Sequence, residues 1–383
     1  MHLPHTRLAL VFTCLCITLL SVGQAPYIPH NPGAAHPHLP EVVPGRWTSE
    51  RANTYYEEQL GGWVCGANFN PSTSINQLEF WQAATFDSAT IDRELGYAED
   101  IGMDMMRVYL HYLPWEADPA GFKQRINTYL DIAERRGIKT MFVLFDDCWY
   151  GDAELGPQPD PVPGFHNSYW LQCPRFSEVF DTTRWGVLEA YTRDIVGTYA
   201  DDARVGVWDL YNEPGANHRP YQIMPLLREV VRWGRESSPS QPITLGAYVH
   251  TEGQNPGWTG MLPMMDFMVF NSDIVSIHQY GGLEDLRQRL SDYGSFGRPV
   301  IVTEYLARGY DNNFATHLPY MREHNVGAIN WGLVTGRTQT MYAWGSPVGA
   351  PEPEVWHHDI FRADGTPFDA AELEVIREAT GKK

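Results

Sequence analysis

The stretch VGVWDLYNEPG, which spans residues 205–215, decides the fold. It starts as a short apolar run and ends in turn-forming residues, which is typical of a buried parallel strand. Pro214 has no backbone N–H to donate to a sheet, so we expect the strand to end at or before this residue. Asn212 and Glu213 then lie at the carboxyl end of the strand, where barrels of parallel strands carry their chemistry.

A second glutamate has the same setting far downstream. Residues 299–305 read PVIVTEY, which is another apolar β-branched run, and Glu304 lies near its end. Two glutamates at the ends of two buried strands predict a pair of catalytic carboxyl groups. One would act as an acid and the other as a nucleophile or a base.

The rest of the chain alternates strand-like runs with amphipathic helical runs, which predicts βα units around a parallel sheet. Besides the opening stretch, the predicted strands cover residues 63–69, 105–110, 139–145, 243–249, 273–280, 299–305 and 327–332. The predicted helices cover residues 88–101, 121–136, 183–199, 220–235, 283–293, 313–323 and 369–379. Eight strands with helices between most of them predict one α/β domain, a (β/α)8 TIM barrel over residues 47–383.

The N-terminal residues are predicted to lie outside this barrel. Residues 1–25 have a weakly basic start and an apolar core at residues 8–20, which is the pattern of a secretory signal peptide. We therefore expect a secreted or periplasmic protein, and retention of this segment as an anchor is the alternative. Residues 26–46 are rich in proline and histidine and predict a linker, whose histidines we interpret as a solvated tail rather than as metal ligands.

The composition limits the possible partners. The formal net charge of −19 argues against nucleic acid and anionic membranes, since both need basic patches, and it suits a neutral substrate. Three cysteines lie beyond the signal segment, namely Cys65, Cys148 and Cys173. They leave open either one disulfide with a free thiol or three buried thiols, and their spacing matches no metal site. The oligomeric state is not predicted.

Polar and aromatic residues follow most of the predicted strands, and a closed barrel would bring them to one mouth. Cleavage of a glycosidic bond needs a proton donor for the leaving oxygen and a nucleophile or activated water at the anomeric carbon, which two carboxyl groups can supply. An arginine can hold a carboxylate ionised, a tyrosine can orient it, and an asparagine can bind a sugar 2-hydroxyl. The candidates at the strand ends are Asn68, Arg107, Asp146, Trp149, Asn212, Glu213, His278, Tyr280, Glu304 and Trp331.

Residues 212–214, Asn-Glu-Pro, together with Glu304 resemble the clan A glycoside hydrolases. Arg107 on the second strand, the pair His278-x-Tyr280 and Trp331 make the chain most similar to family 5, the cellulase and mannanase group. The resemblance covers residues 63–379. It implies a retaining hydrolase that cleaves β-linked poly- or oligosaccharides of the glucan, mannan or xylan type and that needs no metal or cofactor.

The resemblance also implies a role for each matching residue. Glu213 is the expected acid/base and Glu304 the expected nucleophile, which Arg107 and Tyr280 support. The remaining expectations are that Asn212 binds the sugar 2-hydroxyl, that His278 lines the site near the acid/base and that Trp331 stacks on the sugar.

The chain departs from the family after the third strand, where many members have a histidine. Asp146 and Asp147 stand there instead, and we interpret them either as sugar contacts or as a loop cap. Asn68 is open to a second interpretation too, since it can satisfy backbone groups at the barrel mouth. Further candidates for stacking on a sugar are Trp149, Trp170, Trp258 and Trp344.

Two other classes of protein stay open. One is a non-catalytic carbohydrate-binding protein on a glycosidase scaffold, against which the presence of both carboxyl groups and their supporting residues counts. The other is a metal-dependent barrel hydrolase. That class needs a His-x-His near the end of the first strand, where residues 65–70 read CGANFN.

Overall fold

Eight parallel strands form one closed barrel in sequence order in the computed structural model, which describes residues 41–217, 220–248, 262–294 and 296–382. The predicted (β/α)8 architecture is therefore confirmed. The strands are β1 (Cys65–Asn68), β2 (Met105–Tyr109), β3 (Lys139–Asp146), β4 (Val205–Asn212), β5 (Ile243–Ala247), β6 (Val275–His278), β7 (Val300–Glu304) and β8 (Gly327–Trp331). The predicted signal peptide and most of the predicted linker lie outside the described residues.

Most predicted strands are one to four residues longer than the observed ones. The first predicted strand begins at Trp63, whereas β1 begins at Cys65. Trp63 and Val64 are buried in the core although they lie outside the strand, so the apolar run in the sequence is longer than the strand itself. Apolar packing therefore extends beyond the ladder and lengthens the predicted run. β4 ends at Asn212, two residues before Pro214, as the missing N–H of proline requires.

Twelve α-helices lie in the part of the chain that the structure describes, and seven of them correspond to predicted helices. They are α1 (Ser49–Gln59), α2 (Gln77–Trp81), α3 (Ser88–Asp100), α4 (Tyr112–Ala117), α5 (Pro119–Arg135), α6 (Phe176–Phe180), α7 (Trp185–Thr198), α8 (Pro220–Glu236), α9 (Leu262–Asn271), α10 (Leu283–Gly294), α11 (Phe314–Glu323) and α12 (Ala370–Thr380). None of the helices in this part is long and apolar enough to cross a membrane.

Two details of helix capping differ from the sequence pattern. Asp87 caps α3 by accepting the N–H of Thr90 (3.0 Å), one residue before Ser88, where the predicted helix begins. Asp369 caps α12 through the N–H of Ala371 (2.8 Å). The sequence of Asp369 and Glu372 also fits a capping box, but both carboxylate oxygens of Glu372 bind Arg308 instead (2.8 and 2.6 Å).

Helix α1, which the sequence pattern did not predict, lies at the amino end of the barrel. Its Tyr56 and the following Leu60 pack against apolar side chains from the starts of several strands, including Met105 and Ile301. The hydroxyl of Tyr55 donates to the backbone oxygen of Gly206 on β4 (3.1 Å). These contacts close the end of the barrel opposite the predicted site.

The end of the predicted linker contacts the barrel. The N–H of Val43 donates to Asn271 Oδ1, and the N–H of Trp47 donates to Asp273 Oδ1, both at 2.7 Å. Val43 itself is buried. The boundary at residue 46 stays a prediction, although residues just before it already pack on the domain.

All three cysteines beyond the predicted signal are free thiols. Cys65 and Cys173 are buried, and Cys148 is half-buried. The sequence left open either one disulfide with a free thiol or three buried thiols. The structure has three unpaired thiols, and one of them is partly accessible.

Candidate active site

The two predicted catalytic glutamates meet at the carboxyl end of the barrel. Glu304 is the last residue of β7, and Glu213 directly follows β4. One carboxylate oxygen of each glutamate and one ring nitrogen of His278 lie within 4.8 Å of one another. The register shifts between Ile277 and His278, so that His278 pairs directly with Glu304 in the sheet. Irregularities of this kind re-aim side chains and are common next to active sites.

Three donors hold the carboxylate of Glu304. Arg107 Nη1 and the hydroxyl of Tyr109 both donate to Oε1, at 2.8 and 2.9 Å. The hydroxyl of Tyr280 donates to Oε2 at 2.8 Å. Both oxygens are therefore oriented, one of them by a cation, and the side chain is only 7% exposed. A carboxylate held in this way needs little reorganisation to act as a nucleophile.

Arg107 connects most of the site. Its guanidinium is fully buried and donates to Asp209 Oδ2 through Nε (3.1 Å) and Nη2 (2.7 Å). It also donates to Asn68 Oδ1 (2.9 Å) and Asn212 Oδ1 (2.6 Å). A buried cation is tolerated only when it is paired and hydrogen-bonded, and here Asp209 and Glu304 supply the opposite charge. The same bonds fix the positions of the two asparagines.

The backbone of Glu213 has a φ angle of 42°, which is the left-handed region. Such a conformation costs about 1–3 kcal/mol in a residue other than glycine and persists only where the surroundings enforce it. Here the N–H of Glu213 donates to Gly246 O on β5 (3.2 Å), and the N–H of Gly215 donates to Asp147 Oδ2 (2.6 Å). A strained residue at a strand end favours a functional role for its side chain.

Glu213 and His278 have surroundings that set their protonation. Burial raises the pKa of Glu213, against the smaller opposing effect of a thiol donor. Burial lowers the pKa of His278 to about 3, so its ring is neutral near pH 7. His278 Nδ1 lies 2.5 Å from Glu213 Oε1, and Nε2 has no hydrogen-bond partner among the described residues. A buried N–H without a partner is costlier than a buried acceptor, so we assign the proton to Nδ1, which donates to Glu213.

Cys148 is a site residue that we did not predict. Its thiol donates to Glu213 Oε2 (3.1 Å), so that Cys148 and His278 bind the two oxygens of one carboxyl group. Burial raises the pKa of Cys148 well above its usual value, which keeps the sulfur protonated as a donor. The cysteines in the sequence suggest only disulfides, free thiols or metal sites, and they give no signal of this contact.

Changing Cys148 should therefore shift the pH profile of any activity that depends on the protonation of Glu213. Donation by the thiol favours the ionised form of Glu213, so Cys148→Ala is expected to move the alkaline limb of kcat/KM to higher pH. Cys148→Ser supplies a stronger donor and is expected to leave that limb at or below its wild-type position. The control is Cys173→Ala, because the Cys173 thiol donates to the carbonyl oxygen of Leu144 (3.3 Å) rather than to a carboxyl group. Equal profiles for all four proteins would contradict the assigned contact.

Asn68 and Asp146 act on other side chains at the mouth. Asn68 Nδ2 donates to the carbonyl oxygens of Thr303 (2.8 Å) and Asn330 (3.1 Å), which ties β1 to β7 and β8. Asp146 accepts from Asn212 Nδ2 (2.8 Å) and from Trp170 Nε1 (2.7 Å), and burial raises its pKa to about 7. These bonds orient the neighbouring groups, and direct sugar contact by either residue stays a prediction.

The aromatic candidates divide into an inner set and a rim. Trp331 is 9% exposed and makes edge contacts with Tyr109 and Trp170, at ring distances of 5.8 and 5.7 Å. Trp149 is 38% exposed and lies at the rim. Trp344 is also at the rim, 4.9 Å from the ring of Tyr280. Trp258 lies outside the described residues. The inner set, Trp331 with Tyr109 and Trp170, can contact a sugar ring beside Glu304. The rim residues Trp149 and Trp344 can contact sugars further from Glu304.

Sequence reasoning also missed Tyr109, Asp209 and Gly246. Tyr109 lies two residues after Arg107, so both face the barrel interior, and this period of two was a usable signal. Asp209 lies in the middle of a buried strand, where a charge requires a partner. A Cβ atom on Gly246 would lie only 3.2–3.3 Å from His278, Arg107 and Asn212, so glycine leaves room for the site. No sequence pattern signals that close approach.

The donor set does not favour a resident metal ion. Within the described ranges, Glu213, His278 and Glu304 form the one group of three potential ligands that lie close together. Arg107 Nη1, however, is 2.8 Å from Glu304 Oε1 and places a positive charge against the same carboxylate. His278 Nδ1, in turn, is engaged with Glu213. A cation would have to displace both contacts.

Fold and site together define a (β/α)8 barrel with two carboxyl groups, one after β4 and one ending β7. No family model matches the sequence, and no curated protein matches it. Solved structures do match, among them the endo-β-1,4-mannanase of Thermotoga petrophila, with a TM-score of 0.55, 13% identity and coverage of 85% of this chain and 77% of that one.

Two further solved structures resemble this chain with nearly the same TM-score. The GH5_18 protein of Streptomyces cattleya in complex with GlcNAc has a TM-score of 0.56 and 14% identity, and the match covers 84% of this chain and 80% of that one. The exo-β-1,4-mannosidase of Opitutaceae bacterium strain TAV5 has a TM-score of 0.55 and 19% identity, with coverage of 83% and 59%. At these identities the matches show a common barrel fold.

Proposed function

We propose that the protein is a retaining glycoside hydrolase that cleaves β-linked poly- or oligosaccharides. The observation that carries the proposal is the pair of carboxyl groups, whose oxygens approach within 4.8 Å in unlike surroundings. Carboxyl groups about 5–5.5 Å apart suit double displacement, whereas inverting enzymes keep them about 6.5–9.5 Å apart to admit a water molecule. The short separation supports retention.

In the first step, Glu213 gives its proton to the glycosidic oxygen while an oxygen of Glu304 attacks the anomeric carbon. The bond to the leaving group breaks, and a glycosyl ester with Glu304 forms. In the second step, the Glu213 carboxylate takes a proton from water, the water oxygen attacks the anomeric carbon and Glu304 is released. The raised pKa of Glu213 suits the first role, since the group must start protonated.

Asn212 is placed to contact the sugar 2-hydroxyl. Its Oδ1 accepts from Arg107, and its Nδ2 donates to Asp146 (2.8 Å) and more weakly to the sulfur of Cys148 (3.6 Å). The weak second bond can be exchanged for a bond to substrate. Contacts to the 2-hydroxyl strengthen in the transition state and so contribute to catalysis.

The substrate is proposed to be a neutral glucan, mannan or xylan. The solved structures named above include a β-mannanase and a β-mannosidase, which favours mannan for the first assays. The test is a product screen on β-glucans, mannans and xylans, with Glu304→Ala run in parallel. Turnover that the variant loses is the expected result. Binding without turnover by both proteins would favour the non-catalytic carbohydrate-binding alternative.

The stereochemical outcome tests the mechanism separately. We expect the β-anomer to be the first product seen by proton NMR, before mutarotation produces the α-anomer. An initial α-anomer would overturn the double displacement while leaving the hydrolase standing.

Removal of metal ions is expected to leave activity unchanged, because no step above uses a cation. The measurement compares turnover before and after dialysis against a chelator, and then after divalent cations are added back. Loss of activity that returns with an added cation would favour the metal-dependent barrel hydrolase instead.

Secretion remains part of the proposal and rests on the pattern of residues 1–25. N-terminal sequencing of protein from the culture medium or the periplasm is expected to begin just after Gly23 or Ala25. Recovery of full-length chain in the membrane fraction would favour the anchor.

A further inference from the structure

We propose that the active site is a closed-ended pocket that takes one sugar residue at the non-reducing end of a β-linked chain, so that the enzyme releases monosaccharides. This inference rests on the proposed function and adds to it the mode of action. It is argued from the loops that surround the barrel mouth.

The chemistry assigns the two sides of the site. Glu213 protonates the leaving oxygen, so the released part of the chain lies on the Glu213 side. The sugar that Glu304 attacks lies beside Tyr280 and Trp331. Any further sugars on its non-reducing side must extend away from Glu213, over β8, β1 and β2.

Two loops meet over that side. The β3 loop (residues 147–175) and the β8 loop (residues 332–369) are joined by backbone bonds from Asn167 N–H to Thr338 O (2.9 Å) and from Gly349 N–H to Pro163 O (2.7 Å). Gln339 bridges them with its side chain, since Nε2 donates to Val162 O (2.7 Å) and Oε1 accepts the Gly164 N–H (2.9 Å).

The β1 loop (residues 69–76) makes this wall continuous. The N–H of Arg337 in the β8 loop donates to Ser72 O (3.0 Å). Asn76 Nδ2 donates to Gln158 Oε1 (2.9 Å) and Tyr169 O (3.0 Å) in the β3 loop. Gly336 lies so close to the β1 loop that a Cβ atom there would be 2.2 Å from Ser72 O. Each of the three loops is therefore bonded to the other two.

The recess under the wall is small and is lined by buried side chains. Trp170 and Tyr109 are each 3% exposed, and Trp331 is 9% exposed. Asn167 and Asp359, which line the recess beside Trp331, are buried as well. A second sugar on the non-reducing side would meet these side chains and the joined loops rather than an open groove.

Of the two carboxyl groups, that of Glu213 is the more accessible. Glu213 has an 18% exposed side chain, compared with 7% for Glu304. Trp149 and His166 of the β3 loop and Trp344 of the β8 loop are in ring contact, at 5.6 and 6.1 Å, so this row belongs to the joined loops. In the proposed mode of action, a chain end enters past Glu213 and places its terminal sugar against Glu304, while the rest of the chain stays outside.

The test uses borohydride-reduced mannohexaose and cellohexaose, whose non-reducing end is the remaining sugar end, together with the matching polymers. We expect two first products, a free monosaccharide and the alditol-ended chain shortened by one sugar, and a slow fall in polymer viscosity relative to the sugar released. Free disaccharides or longer free oligosaccharides among the first products, with a rapid fall in viscosity, would overturn the closed pocket while the hydrolase stands. No cleavage of the hexaoses, of 4-nitrophenyl β-mannoside and β-glucoside, or of the β-glucans, mannans and xylans of the product screen would overturn the proposed function and this inference with it.

A pair of variants tests the wall itself. Gln339 has a φ angle of 55°, which glycine adopts easily, so Gln339→Gly removes the bridge without adding backbone strain. The control is Asn325→Gly, since Asn325 has a φ angle of 56° and is exposed at the opposite end of the barrel. We expect disaccharide among the first products of Gln339→Gly alone. An unchanged product pattern would show that the wall does not set the mode of action.

Discussion

Replacing Glu304 with alanine is expected to abolish turnover while the protein still binds its glycan. The variant lacks the oxygen that forms the glycosyl ester, and loss of a covalent nucleophile costs on the order of 10⁵- to 10⁶-fold in kcat. Binding survives because Trp331, Asn212 and the rim do not depend on the ester. The measurements are kcat on the best polymer and calorimetric titration of the same glycan with the inactive variant.

The interpretation of this variant requires a folded protein. Removing one partner of a buried ion pair costs about 3–5 kcal/mol, although Arg107 keeps Asp209 as its partner here. Glu304→Gln preserves the shape and an acceptor for Arg107 and is expected to be equally inactive. Glu99→Ala is the control, since Glu99 pairs with Arg136 (2.9 Å) on the outer helices.

An added nucleophile gives a sharper result with Glu304→Ala. Azide in the space of the lost carboxylate attacks the anomeric carbon from the face that Glu304 used. A single displacement inverts the centre, so we expect an α-glycosyl azide. A β-glycosyl azide, or full activity without azide, would contradict the assignment of the nucleophile.

Replacing Glu213 with alanine should separate substrates by the quality of their leaving groups. A sugar hydroxyl leaves only when it is protonated, and general acid–base catalysis contributes about 10²- to 10⁴-fold. We therefore expect kcat/KM on polysaccharide to fall by that amount. On a dinitrophenyl glycoside, whose leaving group needs no proton, kcat/KM should largely survive and kcat should fall because the second step has lost its base.

Azide distinguishes this variant from the previous one. It can replace water in the second step without a base, so it is expected to raise kcat on the dinitrophenyl glycoside and to give a β-glycosyl azide after two inversions. Full activity of Glu213→Ala on polysaccharide would refute the acid/base role. His278→Ala is a useful companion, since it removes a donor to Glu213 without removing the proton donor itself.

The sequence predicted the strands well because a parallel barrel buries them on both faces, which leaves short apolar runs that end in turn residues. Helix α1 was missed because only Ala52 and Tyr56 of its eleven residues are buried, so it has no apolar stripe. Its position depends on what fills the amino end of the barrel, and that is a property of the assembled fold.

The site was predicted to a similar extent and for a similar reason. Glu213, Glu304, Arg107, His278 and Tyr280 could be found because each stands at or near a strand end. Cys148 and Gly246 could not, since a half-buried thiol and a missing Cβ atom acquire their roles only from neighbours on other strands. The contacts that join the β1, β3 and β8 loops could not be predicted from the sequence either. Irregular segments that are far apart in the chain have no periodicity from which a contact could be predicted.

The left-handed backbone of Glu213 lowers the stability of the fold at a residue that the proposed activity requires. The residue lowers the stability of the fold twice, through its φ angle of 42° and through the burial of an ionisable group. A glycine there would relieve both costs but would leave His278 and Cys148 without their acceptor, and it would end the proposed proton donation to the leaving group. Where the relief is the larger effect, selection for heat resistance alone favours loss of the proposed acid/base, so stabilised variants have to be screened for turnover at every round.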